Sequence, residues 1–251
     1  MSVSQTSPAP NAASTLIAGS RVRFHAYDSQ MQWIWASAIA ISSALGRDLQ
    51  QRPRGRLLLS GGTTPAPIYA ALSKAPLDWD RVDVALVDER WLQPDDPDSN
   101  ARLVRQSLLQ NRAAGTRFET LTRPGRSIEE AVNIANLHAR HAAGVVVLGM
   151  GEDGHTASLF PGMQDLDEAF ASPESYVSVD AAGCPGAGSW RRRISLTPAG
   201  LAPASARILL IHGERKRALF DRVLAADDPF EYPIRVAYTT PGPPLDVHWC
   251  P

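Results

Sequence analysis

Three loops of this 251-residue chain gather residue types that do chemistry. The most informative reads Gly149-Met150-Gly151-Glu152-Asp153-Gly154-His155-Thr156-Ala157-Ser158-Leu159-Phe160-Pro161-Gly162. A histidine titrates near neutrality and, when a carboxylate orients its ring, suits general acid–base work. Here His155 lies just past a glycine-rich turn, with Glu152 and Asp153 beside it. The loop contains a literal G-x-G-x-x-G, but the dinucleotide fingerprint needs a long helix running on from its third glycine. Pro161-Gly162 interrupts it too soon, so the match is a decoy and His155 is the catalytic candidate.

Ser60-Gly61-Gly62-Thr63-Thr64 forms the second loop. Two glycines let backbone N–H groups approach a ligand closely, and hydroxyls add donors, which suits a phosphate. It is not a Walker A loop, and a plain tight turn with a helix cap is an equal reading of the same residues. The third, Asp88-Glu89-Arg90-Trp91, sets two carboxylates and a guanidinium at the end of an apolar run. Asp98-Ser99-Asn100 reads as a helix cap. Arg191-Arg192-Arg193 and Glu214-Arg215-Lys216-Arg217 are basic clusters, ordinarily solvated, of which one or two members can reach a bound phosphate. His138 and His141 read as surface residues without a third metal ligand, and His25, His212 and His248 as isolated. The chain has no H-E-x-x-H, G-x-S-x-G or C-x-x-C, which leaves zincin, serine-hydrolase and thioredoxin chemistry without support.

The elements that must position these loops alternate. Strands are expected at 56–60, 82–87 and 144–149, then at 176–179, 193–196, 207–211 and 234–238. Helices are expected at 29–46, 67–73, 99–109, 127–142 and 214–224. The helix at 127 opens on a candidate capping box, Ser127 with Glu130. Val145-Val146-Val147-Leu148 is apolar without alternation, as in a strand covered on both faces. The pattern predicts an α/β fold with a mostly parallel sheet between helices, in which ligands sit at the carboxyl ends of the strands. All three loops fall there. Residues 1–19, rich in Ser, Ala and Pro, read as a flexible lead-in, and 20–251 as a single catalytic domain.

Composition narrows the classes further. With 25 Lys+Arg against 26 Asp+Glu, the net charge of -1 provides no global positive field for nucleic acid or an anionic membrane. Two cysteines, Cys184 and Cys250, exclude a disulfide framework and fit a reducing, cytoplasmic setting. The uncharged stretch 29–46 carries Ile34, Ala38, Ile41 and Leu45 at helical spacing, which reads as a core-facing amphipathic helix rather than a membrane span.

Taken in order, the segments resemble the 6-phosphogluconolactonase family of the sugar-phosphate isomerase and deaminase superfamily. They are Leu59-Ser60-Gly61-Gly62-Thr63-Thr64-Pro65, Val87-Asp88-Glu89-Arg90-Trp91 with Pro97-Asp98-Ser99-Asn100, and the histidine loop from Leu148. Trp190 with Arg193-Ile194-Ser195-Leu196-Thr197-Pro198 and Gly213-Glu214-Arg215-Lys216 complete the set, so the likeness runs from about Phe24 to the C-terminus. The resemblance implies a Rossmann-like three-layer α/β/α fold. It also implies hydrolysis of 6-phospho-D-glucono-1,5-lactone, the second step of the oxidative pentose phosphate pathway, without metal or organic cofactor.

Carried over position by position, the resemblance makes His155 the acid/base and Arg90 an active-site cation, with Asp88 and Asp153 in the same catalytic group. It assigns Gly61, Gly62, Thr63, Arg193 and Lys216, with Gly154, to substrate and phosphate. The implied partner is a small phosphorylated sugar lactone, neither nucleic acid nor membrane; oligomeric state stays open. Thr63 stands where serine is commoner, and the choice among Arg191, Arg192 and Arg193 stays open, as does the carboxylate that orients His155. The tail 241–251 lacks the pattern of the family's final helix. Two other readings use the same fold. A sugar-phosphate deaminase or ketol-isomerase would use Asp88 as base, but the residues after His155 differ from the Ile-Ala-Phe-Asn-Glu-like stretch typical of deaminases. A sugar-phosphate sensor would need a DNA-binding helix-turn-helix, for which the N-terminus is too short and polar.

Overall fold

The apolar runs expected to be buried strands lie side by side at the centre of the molecule. The computed structural model describes residues 13–17, 21–141 and 144–251. In chain order the elements are β1 (Ala13–Leu16), β2 (Val22–Ala26), α1 (Gln30–Gln51), β3 (Gly55–Leu59), α2 (Ala66–Leu72), β4 (Val82–Leu86), β5 (Asp88–Arg90) and α3 (Asn100–Ser107). Then come β6 (Arg117–Phe118), α4 (Ile128–Ala139), β7 (Val145–Leu148), α5 (Leu166–Ala171), β8 (Tyr176–Asp180), β9 (Arg192–Leu196) and α6 (Pro198–Leu201). The chain closes with β10 (Ala206–His212), α7 (Glu214–Ala225), α8 (Val236–Thr239) and β11 (Leu245–Cys250).

Eight strands form one sheet in the order β1-β2-β11-β10-β7-β3-β4-β6, parallel throughout except for the antiparallel edge pair β1–β2. Every residue of β3 and β7 is buried, as a strand covered on both faces requires. Successive side chains alternate between faces. Phe24 and Trp249 meet Phe220 and Arg217 of α7 on one face, while His25, Asp246 and His248 look towards α1 on the other. The mostly parallel sheet flanked by helices is the architecture the alternating pattern predicts.

Local signals account for several boundaries. Ser29 accepts the Gln32 N–H to start α1, Ser99 accepts that of Arg102 to start α3, and Ser127 and Glu130 close a reciprocal capping box at α4. Two expectations are corrected, and one strand had no counterpart among them. The segment expected as a strand at 234–238 is helical, a 3₁₀ turn at Pro233–Arg235 running into α8. Ile234, Val236, Ala237 and Tyr238 are all buried, and a short apolar run does not itself distinguish a strand from a buried helical turn. The tail at 241–251 holds a six-residue strand, β11, seated between β2 and β10. The strand at 193–196 lies outside the main sheet: β9 is the middle of a separate antiparallel sheet, β5-β9-β8. The lead-in expected over 1–19 lies outside the described residues except for 13–17, where β1 forms the sheet edge.

That small second sheet matters for the site. It draws Asp88-Glu89-Arg90 off the end of β4 and fixes it against Arg193-Ile194-Ser195, two segments separated by about a hundred positions in sequence. No helix among the described residues is long and apolar enough to cross a membrane.

Candidate active site

The carboxyl ends of β3, β4 and β7 open onto one cavity of about 200 Å³. Gly61 and Gly62 line it from the first loop, Asp88 and Arg90 from the second, and Gly149 to Gly151 with His155 from the third. Arg193 of β9 and Lys216 of α7 complete the wall, together with Asn100, Ala157 and His212. Seven of the residues expected to act on or bind substrate thus share one small space.

His155 is held on three sides. Its Nδ1 lies 2.5 Å from Asp153 Oδ1, and the same oxygen accepts the His155 backbone N–H at 3.1 Å. The ring packs on Phe160 with 4.3 Å between centroids. With Nδ1–H donated to the carboxylate, Nε2 carries the lone pair, and it has no protein partner among the described residues. Burial alone would push the Asp153 carboxyl up; the hydrogen bonds from the His155 ring and backbone, with the charge the ring bears once it is protonated, outweigh it and hold the carboxyl below its ordinary range. Asp153 therefore remains ionised at neutral pH and is the carboxylate that orients the histidine. The loop depends on its glycines: a methyl group on Gly151 would run into His155 and Asp153, and one on Gly186, from a different loop, would also meet Asp153. Gly154 turns with φ +82° and does not line the cavity; its carbonyl accepts the Ile234 N–H at 3.0 Å.

Asp88 is 6% exposed and heavily engaged. Its Oδ2 accepts the Ser158 hydroxyl at 2.6 Å and lies 3.9 Å from Arg193 Nη1, while Oδ1 is 3.3 Å from Asn100 Nδ2. Arg193, buried above the face of Phe160, donates to the carbonyls of Trp190 at 2.8 Å and Ala187 at 2.6 Å. Burial lowers its pKa, partly opposed by Asp88, and the guanidinium stays charged at any ordinary pH. Arg191 and Arg192 are exposed, which leaves Arg193 as the member of the triplet facing the cavity.

Arg90 donates through Nη1 to Asp98 O at 2.7 Å and Asn100 Oδ1 at 3.0 Å. Its remaining guanidinium donors have no protein partner among the described residues. Lys216 Nζ reaches the Met150 carbonyl at 2.5 Å, tying α7 to the histidine loop. Desolvation lowers its pKa, opposed by Glu152 and Asp153. In the glycine loop Thr64 lines the cavity and Thr63 does not.

Some contributors were not singled out from the sequence. Glu89, wholly buried, accepts the backbone N–H groups of Arg90, Asn100 and Ala101 at 2.8–2.9 Å. Burial drives its carboxyl up to about 7, against the pull of those three donors. Ser158 and Phe160 sit within the quoted histidine loop, but their roles depend on Asp88 and Arg193, which only folding brings near. His212 lines the cavity at the end of β10, a position marked by no local pattern. Among the described residues no group of three or more His, Cys, Asp or Glu side chains converges to hold a metal ion.

A family model described as glucosamine-6-phosphate isomerases/6-phosphogluconolactonase matches residues 28–249. The chain belongs to this family. It is 49% identical over 226 residues to a 6-phosphogluconolactonase of Xylella fastidiosa (strain Temecula1), covering 89% of this chain and 94% of that protein. With the 6-phosphogluconolactonase of Pseudomonas aeruginosa PAO1 the identity is 38% over 231 residues, covering 87% and 94%. Among solved structures, a 6-phosphogluconolactonase from Shewanella baltica OS155 superposes with a TM-score of 0.84 at 32% identity, covering 91% of this chain and 97% of that one.

Proposed function

We propose that this chain hydrolyses 6-phospho-D-glucono-1,5-lactone to 6-phospho-D-gluconate, the second step of the oxidative pentose phosphate pathway. The observation that carries this reading is the Asp153–His155 pair opening onto a sugar-sized cavity walled by Gly61-Gly62, Arg90 and Lys216. A lactone carbonyl is electrophilic enough to need no covalent nucleophile. His155 Nε2 takes a proton from water as the oxygen attacks C1, and Asp153 stabilises the imidazolium that forms. Electrons move onto the carbonyl oxygen, where the unpartnered donors of Arg90 face the developing charge. Collapse breaks the bond between C1 and the ring oxygen, which takes the proton back from His155 to become the 5-hydroxyl. The phosphate, remote from C1, lies against the Gly61-Gly62 backbone and Lys216, with Arg193 adding positive field from behind Asp88. Its binding energy holds the lactone over the imidazole.

The same geometry disfavours the deaminase or isomerase reading. A carbon-deprotonating base there would have to be Asp88, whose Oδ2 already accepts the Ser158 hydroxyl and faces Arg193. Residues 20–251 act as one catalytic domain, since the cavity draws on segments from β3 to α7. Two free, buried cysteines suit a reducing cytoplasm, which cell fractionation tests. The activity is tested with freshly generated lactone by following acid release above the spontaneous rate. Ammonia from glucosamine 6-phosphate, with lactone hydrolysis only at background, would replace this reading by the second one.

A further inference from the structure

Asn100 occupies the point where the glycine loop, Asp88 and Arg90 meet. It is 3% exposed, and its side chain has no part in capping α3, because Ser99 does that through Oγ to the Arg102 N–H. The Asn100 amide turns into the site instead. Nδ2 donates to the Asp88 carbonyl at 2.8 Å and reaches Asp88 Oδ1 at 3.3 Å, while Oδ1 accepts Arg90 Nη1 at 3.0 Å. Only this orientation of the amide satisfies both neighbours, since a flipped one would set N–H against guanidinium and oxygen against carbonyl. The backbone is fixed too: the Asn100 N–H donates to Glu89 Oε1 at 2.9 Å, and Glu89 also accepts the Arg90 N–H. Gly61 closes the arrangement, since the three atoms nearest to any Cβ placed there all belong to the Asn100 amide and would overlap it.

We propose that Asn100 is a positioning residue of lactone hydrolysis, acting through Arg90: its amide joins the Arg90 guanidinium to the Asp88 backbone and so aims the unpartnered guanidinium donors at the reacting carbonyl. The inference rests on the lactonase reading above. A guanidinium held by one carbonyl alone swings about that bond, and charge stabilisation depends on donors already in place when the oxyanion forms. The Asn100 carboxamide supplies the second point of attachment, and the absence of a side chain at Gly61 leaves room for it.

The test is a double-mutant cycle on initial rates of lactone hydrolysis, with melting temperatures measured in parallel. Asn100→Ala removes both bonds; Asn100→Asp, nearly isosteric, fills the same space and keeps an oxygen for Arg90 while setting a carboxylate against the Asp88 carbonyl, and the melting temperatures separate loss of fold from loss of positioning. Asn100→Ala is expected to lower kcat about 30- to 300-fold, and Asn100→Asp less, at or below the lower part of the roughly 10²- to 10³-fold range seen on removing an oxyanion donor outright. In the Arg90→Ala background either change is expected to cost no more than about threefold, because a residue acting through Arg90 has nothing further to lose. Gly61→Ala, damaging alone, is expected to regain its melting temperature but not its kcat when combined with Asn100→Ala. Losses that multiply in the Arg90→Ala background, or kcat kept within about threefold in both single variants, overturn the proposal while leaving the lactonase reading intact. Wild-type protein that leaves the lactone at its spontaneous rate overturns both.

Discussion

Among the described residues two histidine–carboxylate pairs are joined by a hydrogen bond, and the proposed mechanism routes protons through only one of them. Asp153 and His155 sit in a loop at the end of β7, 2.5 Å apart, with the second ring nitrogen free over a cavity. Asp246 and His25 sit on adjacent parallel strands, 3.0 Å apart, and Asp246 is shared with Arg23 at 2.7 Å. The His25 ring stacks on His248 at 4.7 Å, and His248 is 3% exposed with Nδ1 2.8 Å from the Tyr27 hydroxyl. Both aspartates are pushed up by burial and pulled further down by their hydrogen-bonded partners. A depressed carboxyl beside a histidine is thus common to both pairs. The differences are what the far ring nitrogen faces and how many cations share the carboxylate. In the strand pair the charge of Asp246 is already neutralised by an arginine, and the neighbouring imidazole is packed into sheet.

The sharpest way to break this contrast is to remove each ring in turn. His155→Ala is expected to lower kcat roughly 10²- to 10⁴-fold with little change in KM, as loss of a general base does. His25→Ala is expected to leave kcat within about twofold, since no step is routed through it. Equal losses in the two variants, read from steady-state kinetics, would dissolve the distinction. Asp153→Asn falls between them: the ring keeps a neighbour, but the imidazolium loses its counter-charge, with a loss of about tenfold or more expected in kcat.

The cations of the cavity divide in a related way. Lys216 is tied to one carbonyl and is free to meet a phosphate, so Lys216→Ala is expected to raise KM about 10- to 100-fold with a smaller change in kcat, the scale of one or two lost charged hydrogen bonds. Arg193 is committed to the protein, and its removal strands Asp88 inside the fold. Arg193→Ala is therefore expected to destabilise the chain by about 3–5 kcal/mol in urea titration, besides any rise in KM. A variant as stable as wild type would mean that Asp88 does not depend on Arg193.

How far the site could be read from sequence follows from the reach of each signal. Ser127-Glu130, the apolar strand β7 and the glycine-rich loop before His155 are contiguous, so their roles show within a few residues. The cavity follows from the rule that places ligands beyond the carboxyl ends of parallel strands. What could not be read are relations fixed by strand register. His25 and His248 read as isolated because nothing local says that β2 and β11 are neighbours, yet they are register partners. Asn100 read as part of a cap because Ser99 beside it truly is one. Strand β11, the parallel partner of β2, sits behind a proline-rich turn that masks it in the sequence.

The smallest expected effect concerns acid stability, and the strand pair is its source. Burial, with the charge of His25, depresses His248 to about 3, against the partial pull of Asp246. Burial and then Asp246 push the Tyr27 hydroxyl up to about 12, so Tyr27 keeps its proton and donates it to His248 Nδ1. Protonating His248 would break that bond and set a charge beside His25. In the unfolded chain the same imidazole titrates near 6.5. The folded pKa lies below the unfolded one, so the stability linked to His248 is complete above the unfolded value and is lost as pH falls towards the folded one. Between about pH 6 and 4 the unfolded state binds one more proton there, which corresponds to a loss of about 1.4 kcal/mol per pH unit. His248→Gln removes this titration and leaves Arg23, His25 and Asp246 in place. Its unfolding free energy, measured in urea from pH 7 to 4, is expected to fall less steeply than that of wild type by close to one proton, with kcat at pH 7 unchanged within about twofold. Parallel slopes in the two proteins would show that His248 already carries its proton in the folded state, and the strand pair would then resemble the catalytic one more closely than the packing allows.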